Sequence, residues 1–243
     1  MIRTVWFGLV TVAATAWYSG RSIVGGLFRA SHAYHDAVQR GWSRALLNAS
    51  GVDVEADGLE NLTGVGAAIL VANHQSNFDI FALLSALPVS IRFVSKQELA
   101  RIPLLAQAMR SAGHVFIDRG DRRAAVVAMR GAAERMRQES FCLGLFPEGT
   151  RSTDGRLGPF KKGGFVLAIE TQLPVVPVAV DGGRQLTMGR KVLPGTVRIR
   201  VGKPVPTLGR TARHRDELLS DVRGSVAGLL ATLREEAGDS TPI

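Results

Sequence analysis

The segment AAILVANHQSNFD, from Ala67 to Asp79, joins a continuous apolar run to a short polar stretch. An apolar run of this length is typical of a buried β-strand, and His74 follows where that strand is predicted to end. Asp79 lies five residues beyond the histidine. Two interpretations are open from this motif alone. One is a packed histidine followed by a helix-capping aspartate, and the other is a general base oriented by a carboxylate.

The chain after Gly51 alternates short apolar runs with helical patterns, which is typical of a layered α/β domain. We therefore predict one domain over residues 51–243, in which helices flank a mostly parallel central sheet. Ligands of such sheets bind beyond the carboxyl ends of the strands. The predicted strands are 52–58, 66–72, 91–95, 114–118, 141–146, 174–180 and 196–205, and the predicted helices are 79–87, 96–113, 121–138, 161–172 and 213–236.

Residues 1–50 are predicted to form a membrane-associating helical segment. The stretch Thr4–Gly20 is uncharged, and as a helix it would be about 26 Å long, at the low edge for crossing a bilayer. A signal peptide, a single span and one half of a shallow helical hairpin all remain open. We prefer the hairpin, because residues 22–47 are basic and amphipathic. His32 and His35 are interpreted as part of a solvated or interfacial helix face.

Composition narrows the class of partner. The 243 residues carry a formal net charge of +9, which favours an anionic membrane, a phosphate-bearing substrate or nucleic acid. No helix-turn-helix signature or aromatic-basic stacking pattern is present, so we predict no nucleic-acid partner. The single cysteine, Cys142, excludes an internal disulfide, and its apolar surroundings predict a core position.

A second polar loop, FPEGTRS, follows the predicted strand 141–146. Gly149 allows close backbone approach, Thr150 is a short hydrogen-bond donor, and Arg151 offers a forked donor to a phosphate. The alternative is an ordinary surface turn with a solvated arginine.

Further cations lie beside these loops. Arg119 ends the predicted strand 114–118, and Lys96 and Lys161 are among only five lysines in the chain. Because lysines are rare in this chain and these two lie beside the polar loops, they suggest anion binding. Lysines at solvated helix ends would give the same pattern.

Together these motifs resemble the glycerolipid acyltransferase family, in particular its 1-acyl-sn-glycerol-3-phosphate acyltransferases. The resemblance covers roughly residues 52–204. It rests on NHQSNFD, GHVFIDR, FPEGTRS and VVPVAV in the family's order, with KQEL and PFKKGG between them. It implies that His74 is the general base and that Asp79 is its partner.

The resemblance also implies roles for residues outside this pair. Glu148, Gly149 and Arg151 would bind the acceptor, with Arg151 on its glycerol phosphate. Arg119 would be a further phosphate contact, and Lys96 is a weaker candidate for steadying the thioester oxyanion. Thr150 and Lys161 complete the predicted substrate-binding set.

The implied reaction moves an acyl chain from acyl-CoA or acyl-carrier protein to the sn-2 hydroxyl of 1-acyl-glycerol-3-phosphate (lysophosphatidate). The product is phosphatidate, used in phospholipid biosynthesis, and no metal or cofactor is implied. The implied location is the cytoplasmic face of the cell membrane, where an anionic bilayer presents the lysolipid. Two alternatives stay open: the same transfer to another lysolipid, such as a lyso-ornithine lipid, and a non-catalytic lipid-binding module.

Overall fold

The computed structural model describes residues 2–118, 120–189, 191–239 and 241–243. Its strands are β1 (Val52–Asp57), β2 (Ile69–Ala72), β3 (Ile91–Lys96), β4 (Val115–Ile117), β5 (Cys142–Leu145), β6 (Val175–Asp181), β7 (Thr187–Met188), β8 (Lys191–Val192) and β9 (Gly195–Val201).

Seven of these strands form one sheet in the order β1-β9-β6-β2-β5-β3-β4, and β7 and β8 pair separately. The five neighbours β6, β2, β5, β3 and β4 run parallel, whereas β9 pairs antiparallel with β6. The predicted mostly parallel α/β sheet is therefore confirmed. Its parallel part brings the carboxyl ends of these five strands, all of them predicted, to one edge of the sheet.

The helices are α1 (Ile2–Leu27), α2 (His32–Ser50), α3 (Asn77–Ala86), α4 (Leu105–Ser111), α5 (Arg122–Glu139), α6 (Gly163–Thr171) and α7 (Arg215–Ala237). Short 3₁₀ helices cover Leu59–Leu62, Gln97–Arg101, Gly183–Leu186 and Ala212–His214.

Helices cover both faces of the sheet because alternate side chains of each strand point in opposite directions. On β2, Leu70 and Ala72 pack in the cluster that contains residues of α2 and α3. Ile69 and Val71 pack in the cluster that contains residues of α5, α6 and α7. A strand buried on both faces reads as a continuous apolar run, as this one does.

Two further sequence predictions have a clear outcome. Cys142 is a free, fully buried cysteine, and burial raises the pKa of its thiol to about 11, so the predicted core position is confirmed. The helix predicted over 96–113 is wrong as a continuous element, because a 3₁₀ helix ends before Pro103 and α4 begins at Leu105. Proline disfavours the helical conformation in the residue before it, and Leu104 takes a φ of 61° at the break.

The hairpin α1–α2 packs against the sheet domain through polar as well as apolar contacts. Ser22 donates from its hydroxyl to the carbonyl of Ala108 at 3.0 Å. Arg92 is fully buried and donates to Asp36 at 2.6 Å. Among the described residues, no helix combines the length and the apolar character needed to cross a membrane.

The interpretation of the two histidines as part of a solvated or interfacial helix face is wrong for His35, whereas the side chain of His32 is 42% exposed. His35 is buried, and burial, followed by the charge of Arg92, lowers its pKa. Arg92 also donates to Nδ1 of His32 at 3.2 Å, and Nε2 of His32 lies 3.2 Å from Glu139. The histidines therefore belong to the contact between the hairpin and the sheet domain.

His114 lies in the same contact region as a buried neutral imidazole. Its Nδ1 accepts from the Phe93 N–H at 3.0 Å, so its Nε2–H donates to Oε1 of Gln39 at 2.7 Å. Burial, followed by the positive charge of Arg92, lowers the pKa of His114 to about 3. Protonation would place a proton on the nitrogen that accepts from Phe93.

We expect this histidine to make the fold sensitive to acid. The unfolded chain takes up its proton near pH 6.5 but the folded protein only near pH 3, so stability falls as the pH drops through this window. The loss is up to about 1.4 kcal/mol per pH unit. The free energy of unfolding, measured with urea between pH 7.5 and 5, should fall less steeply with decreasing pH for His114→Asn than for the wild type. Asparagine keeps a hydrogen-bond acceptor but cannot titrate. An unchanged slope would contradict this account.

Candidate functional site

The two polar loops predicted from the sequence lie side by side. β2 and β5 are hydrogen-bonded parallel neighbours, with Val71 in register with Leu145. The loop 73–76 follows β2 and the loop 146–162 follows β5, at the same edge of the sheet. The carboxyl ends of adjacent parallel strands thus form the candidate site.

His74 and Asp79 are in direct contact. Nδ1 of His74 is 2.8 Å from Oδ2 of Asp79, and the same oxygen accepts the backbone N–H groups of Gln75 at 2.7 Å and Ser76 at 2.8 Å. Ser76 caps α3, with Asp79 at the third helical position of a capping box. The five-residue spacing works because His74 lies outside the helix and the capped turn folds back towards it.

The helix cap and the oriented imidazole therefore depend on one carboxylate, and the role of His74 as a general base stays a prediction. Asp79 caps the helix and orients the imidazole with the same oxygen. Its side chain is 1% exposed, whereas that of His74 is 14% exposed. An ionised carboxylate only accepts hydrogen bonds, so Nδ1 carries the proton and Nε2 keeps its lone pair.

Glu148 joins the second loop to the first. Its Oε1 accepts the His74 N–H at 2.8 Å, and its Oε2 accepts the Gly158 N–H at 2.9 Å. The Ser152 N–H donates to the carbonyl of His74 at 2.8 Å. Burial raises the pKa of Glu148, and these backbone hydrogen bonds oppose that rise. Both carboxylate oxygens of Glu148 thus accept hydrogen bonds from backbone N–H groups. Its predicted role in binding the acceptor substrate stays a prediction.

An aromatic stack fixes the other side of the imidazole. The ring centroids of Phe146 and His74 are 4.0 Å apart, with an angle of 16° between the ring planes. The ring centroids of Phe93 and Phe146 are 5.6 Å apart, with an angle of 4° between the planes. Sequence reasoning missed both phenylalanines, although Phe146 stands directly before Pro147 in a quoted motif. Aromatic residues at strand ends give no signal that separates stacking on a base from core packing.

Gly149 and Lys161 come together beside this stack. Gly149 has a φ of 77°, and a Cβ on it would lie 2.5 Å from Nζ of Lys161. The ammonium group therefore rests against the backbone of the second loop. Thr150 and Arg151 follow as exposed residues at the same edge.

The other predicted cations are less closely placed. Lys96 is exposed at the end of β3, and within the described ranges no hydrogen bond connects it to His74 or Glu148. Arg119 lies outside the residues that the structure describes.

Two residues that the sequence did not single out complete the frame of the site. Asn73 exchanges two hydrogen bonds with the backbone of Val180 on β6, at 2.7 and 2.8 Å. Gly183 lies against the carboxylate, because a Cβ built on it would be 2.6 Å from Oδ1 of Asp79. The pair of glycines after β6 was a usable signal, since glycine at the end of a strand often marks close approach.

Two cavities adjoin the aromatic stack. The hairpin-side cavity, about 250 Å³, lies between α1, α2, α3 and α4 and reaches Asn77 and Phe93. The α5–α6 cavity, about 530 Å³, is lined by Phe146 and Gly149, together with Lys161 and apolar residues of α6. Because Phe93 stacks on Phe146, the stack lies between the two cavities.

The fold and the site define an α/β protein with a carboxylate-oriented histidine at the carboxyl edge of its sheet and cationic side chains at the same edge. The acyltransferase family model matches residues 53–181, which is more than half of the chain. The chain therefore belongs to the acyltransferase family.

Curated relatives with this family's activity in their names are similar to the chain. The chloroplastic 1-acyl-sn-glycerol-3-phosphate acyltransferase BAT2 of Brassica napus is 41% identical over 155 residues, covering 62% of this chain and 44% of the relative. The chloroplastic 1-acyl-sn-glycerol-3-phosphate acyltransferase LPAT1 of Arabidopsis thaliana is 38% identical over 178 residues, covering 72% of this chain and 48% of the relative. The chain spans about half the length of these two relatives.

A solved structure is similar over nearly the whole chain. It is the crystal structure of the 1-acyl-sn-glycerophosphate acyltransferase PlsC from Thermotoga maritima, with a TM-score of 0.82 and 28% sequence identity. The similarity covers 96% of this chain and 95% of that one. The hairpin and the sheet domain both fall within this range.

We expect Gly183→Ala to impair the site without unfolding the domain. The new methyl group would push the Asp79 carboxylate away from His74, and displacements of about 1 Å cost on the order of 10²-fold in rate. The rate of acyl transfer should fall at least about tenfold. Gly66→Ala is the matched control, because a Cβ there meets no atom within 4 Å. Equal rates for the two variants would show that the contact with Gly183 is not needed.

Proposed function

We propose that this protein transfers an acyl chain from an acyl thioester to the sn-2 hydroxyl of lysophosphatidate, making phosphatidate. The observation that carries the proposal is the 2.8 Å contact between His74 and the buried Asp79, which leaves Nε2 of the imidazole able to accept a proton. The names of the two plant relatives and of the solved structure, 1-acyl-sn-glycerol-3-phosphate and 1-acyl-sn-glycerophosphate acyltransferases, support the choice of acceptor.

The proposed chemistry needs a base but no protein nucleophile. Nε2 of His74 takes the proton of the sn-2 hydroxyl as its oxygen attacks the thioester carbonyl carbon. The new C–O bond forms, the C–S bond breaks, and the departing thiolate takes the proton from Nε2. Asp79 stabilises the imidazolium that exists between the two transfers, and a positioned base of this kind supplies about 10²–10⁴-fold.

The cations beside the loop support a phosphate-bearing acceptor. Lys161 lies against Gly149, and Arg151 is an exposed forked donor two residues further on. We propose that these two residues and Thr150 bind the glycerol phosphate, together with Arg119. Lys96 remains a proposed contact to the thioester oxyanion.

The hairpin-side cavity suits the hydrocarbon chain of the donor. It starts beside Phe93, one ring away from the Phe146–His74 stack, and its lining is mostly apolar, including Trp42, Phe81 and Leu84. An apolar cavity that begins two rings from His74 gives the acyl chain a place that excludes water. The thiol carrier is proposed to be CoA or acyl-carrier protein, and the mechanism uses no metal or cofactor.

The first test is release of free thiol from acyl-CoA with a panel of lysolipids in detergent or vesicles. We expect lysophosphatidate to drive turnover, and His74→Ala to reduce it by at least about 10²-fold. Asp79→Asn should cause a similar loss, because the amide presents the wrong hydrogen-bond pattern to Nδ1. If a lyso-ornithine lipid or another lysolipid is preferred, the proposed acceptor is wrong but the proposed acyl-transfer mechanism still holds. If no thiol is released from either acyl-CoA or acyl-carrier protein, the non-catalytic lipid-binding module is favoured.

We further propose that the protein works on the cytoplasmic face of the cell membrane, with α1 lying in the interface. Support comes from the large exposed apolar residues along this helix: Ile2, Val5, Trp6, Leu9, Val12, Trp17, Val24 and Leu27, followed by Phe28. Arg21 and Arg29 are exposed on the same segment and suit anionic headgroups. Lysophosphatidate is presented at such a surface, and the thioester donors are cytoplasmic.

Vesicle sedimentation tests the membrane proposal. Leu9→Glu should lower the apparent affinity for phosphatidylglycerol vesicles by about tenfold, because it places a charge in the apolar face of α1. Leu208→Glu is the matched control, since Leu208 is an exposed leucine outside the hairpin. Binding should also weaken as salt rises. Equal loss in both variants, or none in either, would contradict a contact through α1.

A further inference from the structure

Helix α7 carries two arginines that reach the second loop. Arg223 and Arg234 are 11 residues apart, which is close to three helical turns, so they lie on one face of the helix. Both donate to backbone carbonyls within 155–158, the part of the second loop between Arg151 and Lys161. Neither residue lies in the matched range 53–181.

Arg234 is the more deeply placed of the two, with a side chain that is 3% exposed. One terminal nitrogen donates to the carbonyl of Gly155 at 2.6 Å, and Nε donates to Asp181 at 3.3 Å. The other terminal nitrogen donates to the carbonyls of Thr241 and Pro242 at 3.1 and 2.9 Å. A neutral side chain could not replace these bonds, because a buried carboxylate and three carbonyls all require donors.

Arg223 holds the next part of the same loop. Its terminal nitrogen donates to the carbonyl of Leu157 at 3.0 Å, and its Nε donates to that of Gly158 at 3.4 Å. The N–H of Gly158 is the group that donates to Glu148. Residues 155–158 are therefore held by α7 on one side and by Glu148, from the start of the same loop, on the other.

Both arginines connect to the base through short paths. Asp181, the partner of Arg234, also accepts from the side chain of Gln75 at 3.3 Å, and Gln75 donates its N–H to Asp79. On the other path, Glu148 binds the backbone N–H of His74. Thr150 and Arg151 are exposed residues between Glu148 and the loop carbonyls that α7 holds.

We propose that Arg223 and Arg234 are positioning residues. They hold the second loop, residues 146–162, in the conformation that binds the phosphate of the lysolipid. This inference rests on the proposed function, because it assigns the loop to a phosphate-bearing lysolipid. The two arginines touch no substrate themselves. They hold residues 155–158, which follow Thr150 and Arg151 in the same loop, so their loss weakens recognition of the phosphate more than it weakens the base.

The experiment compares Arg223→Leu and Arg234→Lys with the wild type. Arg200→Leu is the matched control, because Arg200 ties α7 to the sheet through Glu236 and Asp57 but does not touch the loop. Steady-state rates are measured with lysophosphatidate and with monoacylglycerol, its phosphate-free counterpart. The KM for acyl-CoA and the thermal unfolding midpoint are recorded for each variant.

We expect each loop variant to raise the KM for lysophosphatidate at least about fivefold with little change in kcat or in the KM for acyl-CoA. The preference for lysophosphatidate over monoacylglycerol should fall by the same factor, whereas Arg200→Leu keeps the wild-type preference. If the preference is unchanged in folded loop variants, or falls equally in Arg200→Leu, the proposal is overturned. If Arg234→Lys does not fold, Arg223→Leu decides alone, with Arg223→Lys as a milder substitution.

Equilibrium binding separates failure of this inference from failure of the proposed function. Calorimetric titration of lysophosphatidate into wild type, Arg223→Leu and Arg200→Leu needs no turnover. Weaker binding only in Arg223→Leu supports the positioning role even if no acyl transfer is detected. Equal binding by all three proteins overturns it even if the wild type is an active acyltransferase.

Discussion

One buried carboxylate oxygen organises the site. Oδ2 of Asp79 accepts two backbone N–H groups at the start of α3 and also lies 2.8 Å from Nδ1 of His74. The bonds that begin the helix therefore fix the orientation of the imidazole as well. Because the carboxylate is 1% exposed, water does not compete for it, and each of these bonds is stronger than at the surface. Loss of the carboxylate would disturb local folding and the base together.

The parallel sheet extends this local arrangement into the candidate site. Parallel pairing of β2 with β5 sets the two loops beside each other, and Glu148 then joins them through backbone N–H groups. The aromatic stack of His74, Phe146 and Phe93 lies between a cavity on the hairpin side and a cavity between α5 and α6. Phe146 lines one of these cavities and Phe93 the other, so the stack links His74 to both.

The hairpin does more than add apolar surface to the sheet domain. The fully buried Arg92 pairs with the partly exposed Asp36 of the hairpin, and the neutral His114 accepts from Phe93 while donating to Gln39. Such contacts are costly to break, since separating the two parts would leave an unpaired charge in each. The outward face of α1 stays apolar, so we interpret the hairpin as a fixed link between the proposed membrane surface and the site.

Sequence alone determined the features that depend on neighbours along the chain. The apolar runs predicted the strands, and the capping box at Ser76 and Asp79 placed a carboxylate within reach of His74. Only the tertiary structure decided contacts across elements. These include the backbone role of Glu148, the approach of Gly183 to Asp79, the burial of His35 and the reach of Arg234 to Gly155. The physical reason is that hydrogen-bond geometry within a turn is set by local backbone angles, whereas a buried arginine or glycine finds its partner only once the sheet order has brought distant segments together.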